Sequence, residues 1–497
     1  MCESPAGRTF LCFQFSRIML KEQPSFYQSH HMKTISIVSL ALGLCGFAIQ
    51  ISAAPKTGPN SGLDSLHRWN RIANDASGFD HGNARQQLGP GRSSRALAMV
   101  HIALFDVINA LGGNYESYMG VQPPRGALSI DAAIAQAAHD TLIALFPAQA
   151  ATLDGYLAED LGAIDNKNAR DNGVAFGRHC ASAMLANRLG DGSEIPESFI
   201  GIDYVTSDLP GHWRMDPISQ ITVALGSHWD KCAPFAVQSA SQFRCPPFPA
   251  MTNVEYTASY NEVKALGGDG VTTPTVRNAD QTETGIYWGY DGTPSLCAPP
   301  RLYNQIALHI ADQMGSDVIE TARLLALANI AMADATLICW ESKYYYDIWR
   351  PVTGIREADT DGNPATVPDS SFSPLGAPAS NLNGPNFTPP FPAYPSGHAS
   401  MGGALFQTLR RFYGTDDIPF TFVSDEFNGV TRDNNGNVRP LRPRSFATLS
   451  QAEEENGQSR IYLGIHWSFD KIEGIALGNR VANYVFDNVF LPPPPRR

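Results

Sequence analysis

The sequence predicts an all-α protein made of helical bundles, two units that resemble four-helix bundles, with long ordered loops between the helices. Three observations indicate this class. Apolar residues recur at helical spacing over much of 95–188 and 300–488. Short connections join the first group of helices, which is typical of a bundle. Hydrophobic residues make up 43% of the 497 residues, enough for a sizeable core, and 36 prolines and 43 glycines indicate long loops.

The first 54 residues are predicted to be a targeting signal rather than part of the fold. Met32 and Lys33 precede an apolar run over 35–51, and small residues follow at 52–54. This order is typical of a secretory signal peptide, 32–54. Residues 1–31 are therefore interpreted as an over-extended start, and the mature protein is expected to be secreted or periplasmic. A membrane anchor is the alternative, and the shortness of the run disfavours it.

The mature chain is predicted to have three parts. Residues 55–189 are expected to form an N-terminal helical bundle with helices at 64–73, 95–111, 130–146, 148–163 and 168–188. Residues 190–285 are expected to be a loop-rich excursion with a few short strands. Residues 286–497 are expected to form a C-terminal helical domain with helices at 300–314, 317–349, 396–413, 444–462 and 467–488. The apolar segment 321–340 carries two charges and is interpreted as a buried core helix, so no membrane span is expected in the mature chain.

Five cysteines follow the predicted signal peptide: Cys180, Cys232, Cys245, Cys297 and Cys339. Cys232 and Cys245 flank a Pro-rich stretch and are expected to form a disulfide. Five buried thiols are the alternative. The sequence has no Cys-x-x-Cys pair or His/Cys zinc spacing, so no structural zinc site is expected.

Charge is distributed unevenly along the chain. The net charge is −12, the pI is about 5.4, and no basic run is present, so no nucleic-acid partner is expected. Against this acidic background, three short clusters between residues 343 and 470 carry one Lys, two Arg, two His and a Ser-Gly pair. This set of side chains suits a tetrahedral oxyanion better than a metal cation.

The first cluster runs from Lys343 to Pro351. Lys343 and Arg350 are seven residues apart, which is two turns of a helix, so a helix over this segment would place both side chains on one face. Pro351 would end that helix. The alternative is an ordinary exposed basic face.

The second cluster is Pro395-Ser396-Gly397-His398, at the start of a predicted helix. Free N–H groups at a helix N-terminus bind anions, and Gly397 lets the backbone approach a ligand closely. Ser396 adds a hydroxyl group, and His398 in the first turn can act as an acid or a base. The alternative is a capping serine beside a surface histidine.

The third cluster contains Ser459, Arg460, His466 and Asp470. Arg460 and His466 are six residues apart and would point in different directions on a continuous helix, so we expect a break near Gly464. Asp470 lies four residues after His466, where its carboxylate would fix the imidazole tautomer. The alternative is an ordinary i,i+4 pair.

Taken in order, Lys-x6-Arg-Pro, Pro-Ser-Gly-His and Ser-Arg-x5-His-x3-Asp resemble the signature of the superfamily of vanadium-dependent haloperoxidases and type 2 phosphatidic acid phosphatases. All three parts are intact. The motif 391–394, Trp340, and the segments 290–292 and 299–305 resemble the soluble, chloroperoxidase-like branch. The likeness is clearest over 285–488, which would make 286–497 the catalytic domain.

The resemblance implies a role for each matching residue. His466 would bond directly to the vanadium of a bound vanadate, and His398 would face the apical oxygen as an acid–base group. The residues that would surround the other vanadate oxygens are Lys343, Arg350, Ser396, Gly397 and Arg460. The supporting residues would be Asp291 beside Arg460, Asp470 behind His466, and Trp340 and Phe391 on the halide side.

Three functions are compatible with these residues. The first is a vanadate-dependent haloperoxidase that oxidises halide with hydrogen peroxide to a hypohalous species. The second is a secreted acid phosphatase with His466 as nucleophile and His398 as the acid for the leaving group. The third is an inactive binding or scaffold protein, which the intact motif argues against. Phe391 favours the chloroperoxidase pattern, but halide preference and oligomeric state are left open.

Overall fold

The structure is a computed structural model that describes residues 62–113 and 115–492. These residues belong to one compact unit. The predicted over-extended start and signal peptide, 1–54, lie outside the described residues. The α-helices are α1 Leu63–Gly82, α2 Gly89–Gly112, α3 Ile130–Leu145, α4 Ala150–Gly162, α5 Lys167–Asn187, α6 Val254–Leu266, α7 Ala279–Tyr287, α8 Pro299–Met314, α9 Val318–Tyr346, α10 Pro351–Arg356, α11 Gly397–Tyr413, α12 Leu449–Tyr462 and α13 Ser468–Asn488.

Strands are few in the described part of the chain. Two antiparallel pairs are present, β1 Ser198–Phe199 with β2 Val223–Ala224, and β3 Phe420–Asn428 with β4 Leu441–Phe446. The helices therefore dominate, which confirms the predicted all-α class. The division into a first bundle, an excursion and a second helical domain stays a prediction.

Helix α9 is the central element of the core. It packs against α2, α8, α11 and α13. As a result, nearly every residue from Thr321 to Lys343 is buried. Both α2 and α9 are long and apolar enough to cross a membrane by length and composition, but 78% and 94% of their apolar windows are buried inside the protein. Their hydrophobicity is thus used in helix packing.

The segment predicted as a loop-rich excursion contains two helices that the sequence reading missed, α6 and α7. Helix α7 begins with a capping box in which Asn278 and Gln281 bond each other's backbone N–H groups, a signal visible in the sequence. The loop before α6 is anchored to α9. The carboxylate of Asp334 accepts the backbone N–H groups of residues 235–237 at 2.7–2.9 Å.

The predicted disulfide between Cys232 and Cys245 is wrong, because all five described cysteines are free and buried. The alternative of five buried thiols is the one observed. The Pro-rich stretch between Cys232 and Cys245 is instead tied to α9 at both ends. Asp334 binds the backbone just after Cys232, and the Ser342 hydroxyl accepts the Cys245 N–H at 3.3 Å.

Two chain reversals position the site. The expectation that Lys343 and Arg350 share one helix is wrong, because α9 ends at Tyr346 and Asp347 takes a left-handed conformation with φ 52°. Arg350 instead precedes α10, whose first residue is Pro351. The expected break near Gly464 is confirmed: α12 ends at Tyr462, Gly464 has φ 73°, and α13 begins at Ser468.

Candidate active site

A cavity of about 300 Å³ lies where the N-terminal ends of α11 and α13 approach α9. It is bordered by residues that are far apart in sequence. The residues of the predicted site that line it are Asp291, Trp340, Phe391, Gly397, His398, Arg460 and His466. The lining therefore combines residues of the second and third motif clusters. The first cluster reaches the site through Arg350, which does not line the cavity but whose Nη1 lies 3.0 Å from Nε2 of His466.

His466 is held in one tautomer. Its Nδ1 lies 2.8 Å from Oδ2 of Asp470, and the same oxygen accepts the Trp467 N–H at 3.0 Å. Nδ1 therefore carries the proton and Nε2 keeps a lone pair, which lies 3.0 Å from Nη1 of Arg350. Burial, followed by the positive charge of Arg350, lowers the pKa of His466 well below its usual value. A neutral imidazole with an unprotonated Nε2 is the form that can ligate a metal, and here that nitrogen accepts the Arg350 N–H.

Two buried arginines present N–H groups without acceptors. Arg460 donates from Nη2 to Oδ1 of Asp291 at 2.6 Å, but its Nε and Nη1 have no partner among the described residues. Arg350 donates from Nε to the Phe391 carbonyl at 2.9 Å, while its Nη2 is likewise unpartnered. Each buried donor left without an acceptor costs about 1–3 kcal/mol. Three such donors on two cations indicate a site built for an anion.

Lys343 and Ser396 lie behind this cavity rather than on its wall. The Lys343 ammonium donates to the carbonyls of Pro392 and Ala393, both at 2.9 Å, and to that of Pro395. Burial lowers the pKa of Lys343 to about 7. The Ser396 hydroxyl caps α11 by accepting a backbone N–H at 3.4 Å. Both residues thus fix the loop that leads into α11.

His398 has the opposite tautomer from His466. Its Nε2 lies 2.6 Å from the carbonyl oxygen of Gly289, so Nε2 carries the proton and Nδ1 is unprotonated. Burial, followed by the charge of Arg460, lowers the pKa of His398 well below its usual value. The lowered pKa keeps the imidazole of His398 neutral, which leaves Nδ1 as its unprotonated nitrogen.

Strand β3 supports the segment 289–291, for which the sequence predicts only the contact of Asp291 with Arg460. Oε1 of Glu426 accepts the Tyr290 N–H at 3.1 Å. The other carboxylate oxygen, Oε2, accepts the Ser380 hydroxyl at 2.6 Å and is ion-paired with Arg439. Glu426 is completely buried. It belongs to the site's support, and sequence reasoning missed it because this region was interpreted as a loop.

One wall of the cavity is aromatic. The ring centroids of Trp340 and Phe391 lie 4.8 Å apart, and the Trp340 Nε1–H donates to the Leu225 carbonyl at 3.0 Å. A Cβ at Gly397 would lie 3.1 Å from the Trp340 ring, tighter than ordinary van der Waals contact. Glycine at this position lets α11 begin directly against the indole ring.

Comparison with known proteins places this geometry in a family. Residues 323–491 match the model of the VCPO second helical-bundle domain. The chain is 30% identical over 486 residues to the vanadium chloroperoxidase of Curvularia inaequalis, covering 81% of this chain and 78% of that protein.

Two solved structures share the fold. A bacterial vanadium-dependent iodoperoxidase superposes with a TM-score of 0.67 at 23% identity, covering 86% of this chain and 97% of that one. A holo-type bacterial vanadium-dependent chloroperoxidase has a TM-score of 0.60 at 18% identity, covering 80% and 92%. The extended similarity to the Curvularia enzyme, together with the predicted motif, shows that this chain belongs to the vanadium-dependent haloperoxidase family.

Proposed function

We propose that this protein is a vanadate-dependent haloperoxidase that oxidises a halide with hydrogen peroxide and releases a hypohalous species. The observation that carries the proposal is the set of buried, unpartnered N–H groups on Arg350 and Arg460 beside the neutral imidazole of His466. The phosphatase alternative uses similar residues, but the vanadium haloperoxidases among the relatives do not favour it.

The side chains fit vanadate in number, charge and protonation. Nε2 of His466 would bond to the vanadium, and the free N–H groups of Arg350 and Arg460 would bind its oxygens. The Gly397 amide, at the start of α11, would add a further donor. Lys343 would contribute positive charge from behind the cavity, and Ser396 would hold the helix start in place.

When bound, vanadium supplies a Lewis acid that activates peroxide without changing its own oxidation state. The chain's residues would manage the protons and charge. His398, which lines the cavity with an unprotonated Nδ1, would take a proton from the incoming peroxide and return it to the oxygen that leaves as water. The arginines would stabilise negative charge that builds up on oxygen. Trp340 and Phe391 would provide an apolar wall on which a halide is partly stripped of water.

A reconstitution experiment tests this function. The purified mature protein is freed of bound oxyanions with chelator in phosphate-free buffer, and then supplied with vanadate, peroxide and iodide, bromide or chloride. Halogenation of a phenolic dye is expected only after vanadate is added. Turnover of a chromogenic phosphate ester without any halogenation would overturn the proposal.

Replacement of His466 provides the second arm of the test. His466→Ala is expected to abolish vanadium retention, measured by elemental analysis after dialysis. His139→Ala is the matched control, because His139 also bonds carboxylates, at 2.8 and 3.0 Å, but lies on α3 outside the cavity. Unchanged vanadium content in His466→Ala would refute the ligand assignment.

The proposal includes export from the cytoplasm. It rests on the sequence of residues 32–54 alone, which has the order of a signal peptide. N-terminal sequencing of protein recovered from the periplasm or the culture medium tests it. A chain that retains residues 32–54 and stays inside the cell would contradict export.

A further inference from the structure

The cavity extends well beyond the buried arginines and histidines. Its volume is about 300 Å³, whereas a cavity of about 150 Å³ is enough to bind benzene. Its outer part is lined by half-buried apolar side chains, among them Leu88, Ile221, Val223, Leu225, Phe387 and Pro390. Halide ions and peroxide are much smaller than this cavity and need neither its volume nor its outer apolar wall.

The outer wall is preformed. The Leu225 N–H donates to the Pro390 carbonyl at 3.0 Å, which joins two separate segments of the wall. The Leu225 carbonyl accepts both the Trp340 indole N–H and the Tyr344 hydroxyl, at 3.0 and 2.9 Å. This network ties the outer wall to α9, so an organic molecule could bind without first ordering a loop.

Arg85 gives the outer part its charge. Its side chain is exposed at the edge of the cavity and makes no hydrogen bond or ion pair with the described residues, while its backbone N–H is held by the Asp80 carbonyl at 2.8 Å. His81, also on the lining, has both nitrogens engaged, by the Ser77 carbonyl and the Gly89 N–H, each at 3.0 Å. Asp291 is paired with Arg460. Arg85 is therefore a cation on the lining that has no counter-charge among the described residues.

We propose that this outer part binds an electron-rich aromatic ring carrying a carboxylate, so that halogen is delivered to a bound organic substrate. The inference rests on the proposed haloperoxidase function and names its substrate class. The ring would pack on the apolar wall, and the carboxylate would pair with Arg85, since guanidinium groups match carboxylates in shape and charge.

The chemistry is an electrophilic aromatic substitution. A ring carbon attacks the halogen of the hypohalous acid, and a carbon–halogen bond forms as the halogen–oxygen bond breaks. The electron pair of the broken bond goes to oxygen. The ring loses its proton, and the oxygen leaves as water. The hypohalous acid comes from the proposed activity, so no further oxidant is needed.

Three phenols with similar rings separate binding from free diffusion: 4-hydroxyphenylacetate is an anion, its amide is neutral, and tyramine is a cation. The three phenols compete in a reaction with bromide and vanadate-loaded enzyme. The enzyme is expected to brominate the anion about fivefold more than the cation, relative to the ratio given by reagent hypobromite, which is the upper scale of one partly exposed ion pair. A product ratio equal to that of the reagent would overturn the inference.

Arg85→Gln is expected to bring the product ratio back to the reagent value. Glutamine keeps most of the side-chain length and adds no strain that arginine lacks at φ 56°. Arg125→Gln is the matched control, because Arg125 is also exposed and does not line the cavity. Its ratio is expected to match that of the unmodified enzyme, and a loss of preference in both variants would argue against a specific role for Arg85.

A binding measurement separates this inference from the proposed function. Calorimetric titration of 4-hydroxyphenylacetate into vanadate-loaded protein, without peroxide, is expected to show binding that weakens about fivefold in Arg85→Gln. If the neutral amide is brominated in a vanadate-dependent reaction but this binding is not seen, the proposed function is supported and the inference is refuted. If no halogenation occurs with any substrate, the proposed function fails, and an unchanged affinity in Arg85→Gln would remove the inference as well.

Discussion

Arg460→Lys is the substitution that most directly tests whether the unpartnered N–H groups bind the cofactor. Arginine at this position donates one N–H to Asp291 and holds Nε and Nη1 buried without acceptors. Lysine keeps a positive charge for Asp291 but cannot present the planar fork of donors. The change therefore removes directed hydrogen bonds while preserving the buried charge balance.

The expected size of the effect follows from the two free donors. A hydrogen bond to a charged group contributes about 1.5–3 kcal/mol, so losing two would weaken vanadate binding by about 3–6 kcal/mol. Because about 1.4 kcal/mol is a tenfold change in Kd, and because lysine retains the charge, we expect the lower end, a Kd about 100-fold higher.

Equilibrium dialysis against vanadate, with bound vanadium measured by elemental analysis, gives the Kd directly. Thermal unfolding supplies an independent check. Ligand at 100 times its Kd stabilises the native state by about 2.7 kcal/mol, so vanadate should protect the unmodified protein far more than the variant. Without vanadate the variant is expected to keep most of its stability, because the ammonium preserves the buried charge pair with Asp291.

Arg188→Lys is the control for this experiment. Arg188 is also buried, at 5% exposure, and pairs with Asp191, but it does not line the cavity. Its replacement should leave the vanadate Kd unchanged. A Kd for Arg460→Lys within about threefold of the unmodified protein would refute the view that the free guanidinium donors hold the oxyanion.

Two further predictions concern the support of the fold. Burial lowers the pKa of His101 to about 4. Between about pH 6.5 and 4 the unfolded chain therefore binds a proton at this histidine that the folded protein does not bind. The free energy of unfolding should fall by about 3 kcal/mol as the pH drops through this range. Urea unfolding across this range should show a flatter pH dependence in His101→Gln; parallel curves would contradict the assignment. Glu426→Gln leaves Arg439 buried without its counter-charge and should cost about 3 kcal/mol in denaturant unfolding, with a lower kcat/KM as segment 289–291 shifts. Unchanged stability would show that β3 does not hold that segment.

The sequence was sufficient for features that depend on local spacing. The buried core helix α9 and the break at Gly464 each depend on a few neighbouring residues, as does the cap at Ser396, which was the alternative to its predicted anion-binding role. Of the motif residues, Gly397, His398, Arg460 and His466 line the cavity, whereas Lys343 and Ser396 lie behind it; their roles toward an oxyanion stay predictions. These predictions needed only helical periodicity, cap chemistry and the order of the three clusters.

The features that were missed depend on distant contacts. Glu426 and Tyr290 are 136 residues apart, and the strand that carries Glu426 was interpreted as part of a loop. The carbonyl partners of Lys343 lie 49–52 residues further along the chain, so its place behind the cavity could not be inferred from helix geometry. Periodicity reports which side of an element is buried, but not which element covers it.

The anchoring role of α9 has a consequence for how this chain can change in length. Asp334, Trp340 and Lys343 bind three different loops from this one 29-residue helix. A single inserted residue before Asp334 would rotate all three side chains by about 100° and shift them by about 1.5 Å. The loop at 235–237, the aromatic wall at Trp340 and the segment 392–395 before α11 would lose their hydrogen bonds to α9 together. Insertions and deletions should therefore be tolerated in exposed turns such as 433–437. Within α9 they should not be tolerated, because the spacing of its side chains sets the positions of the active-site loops.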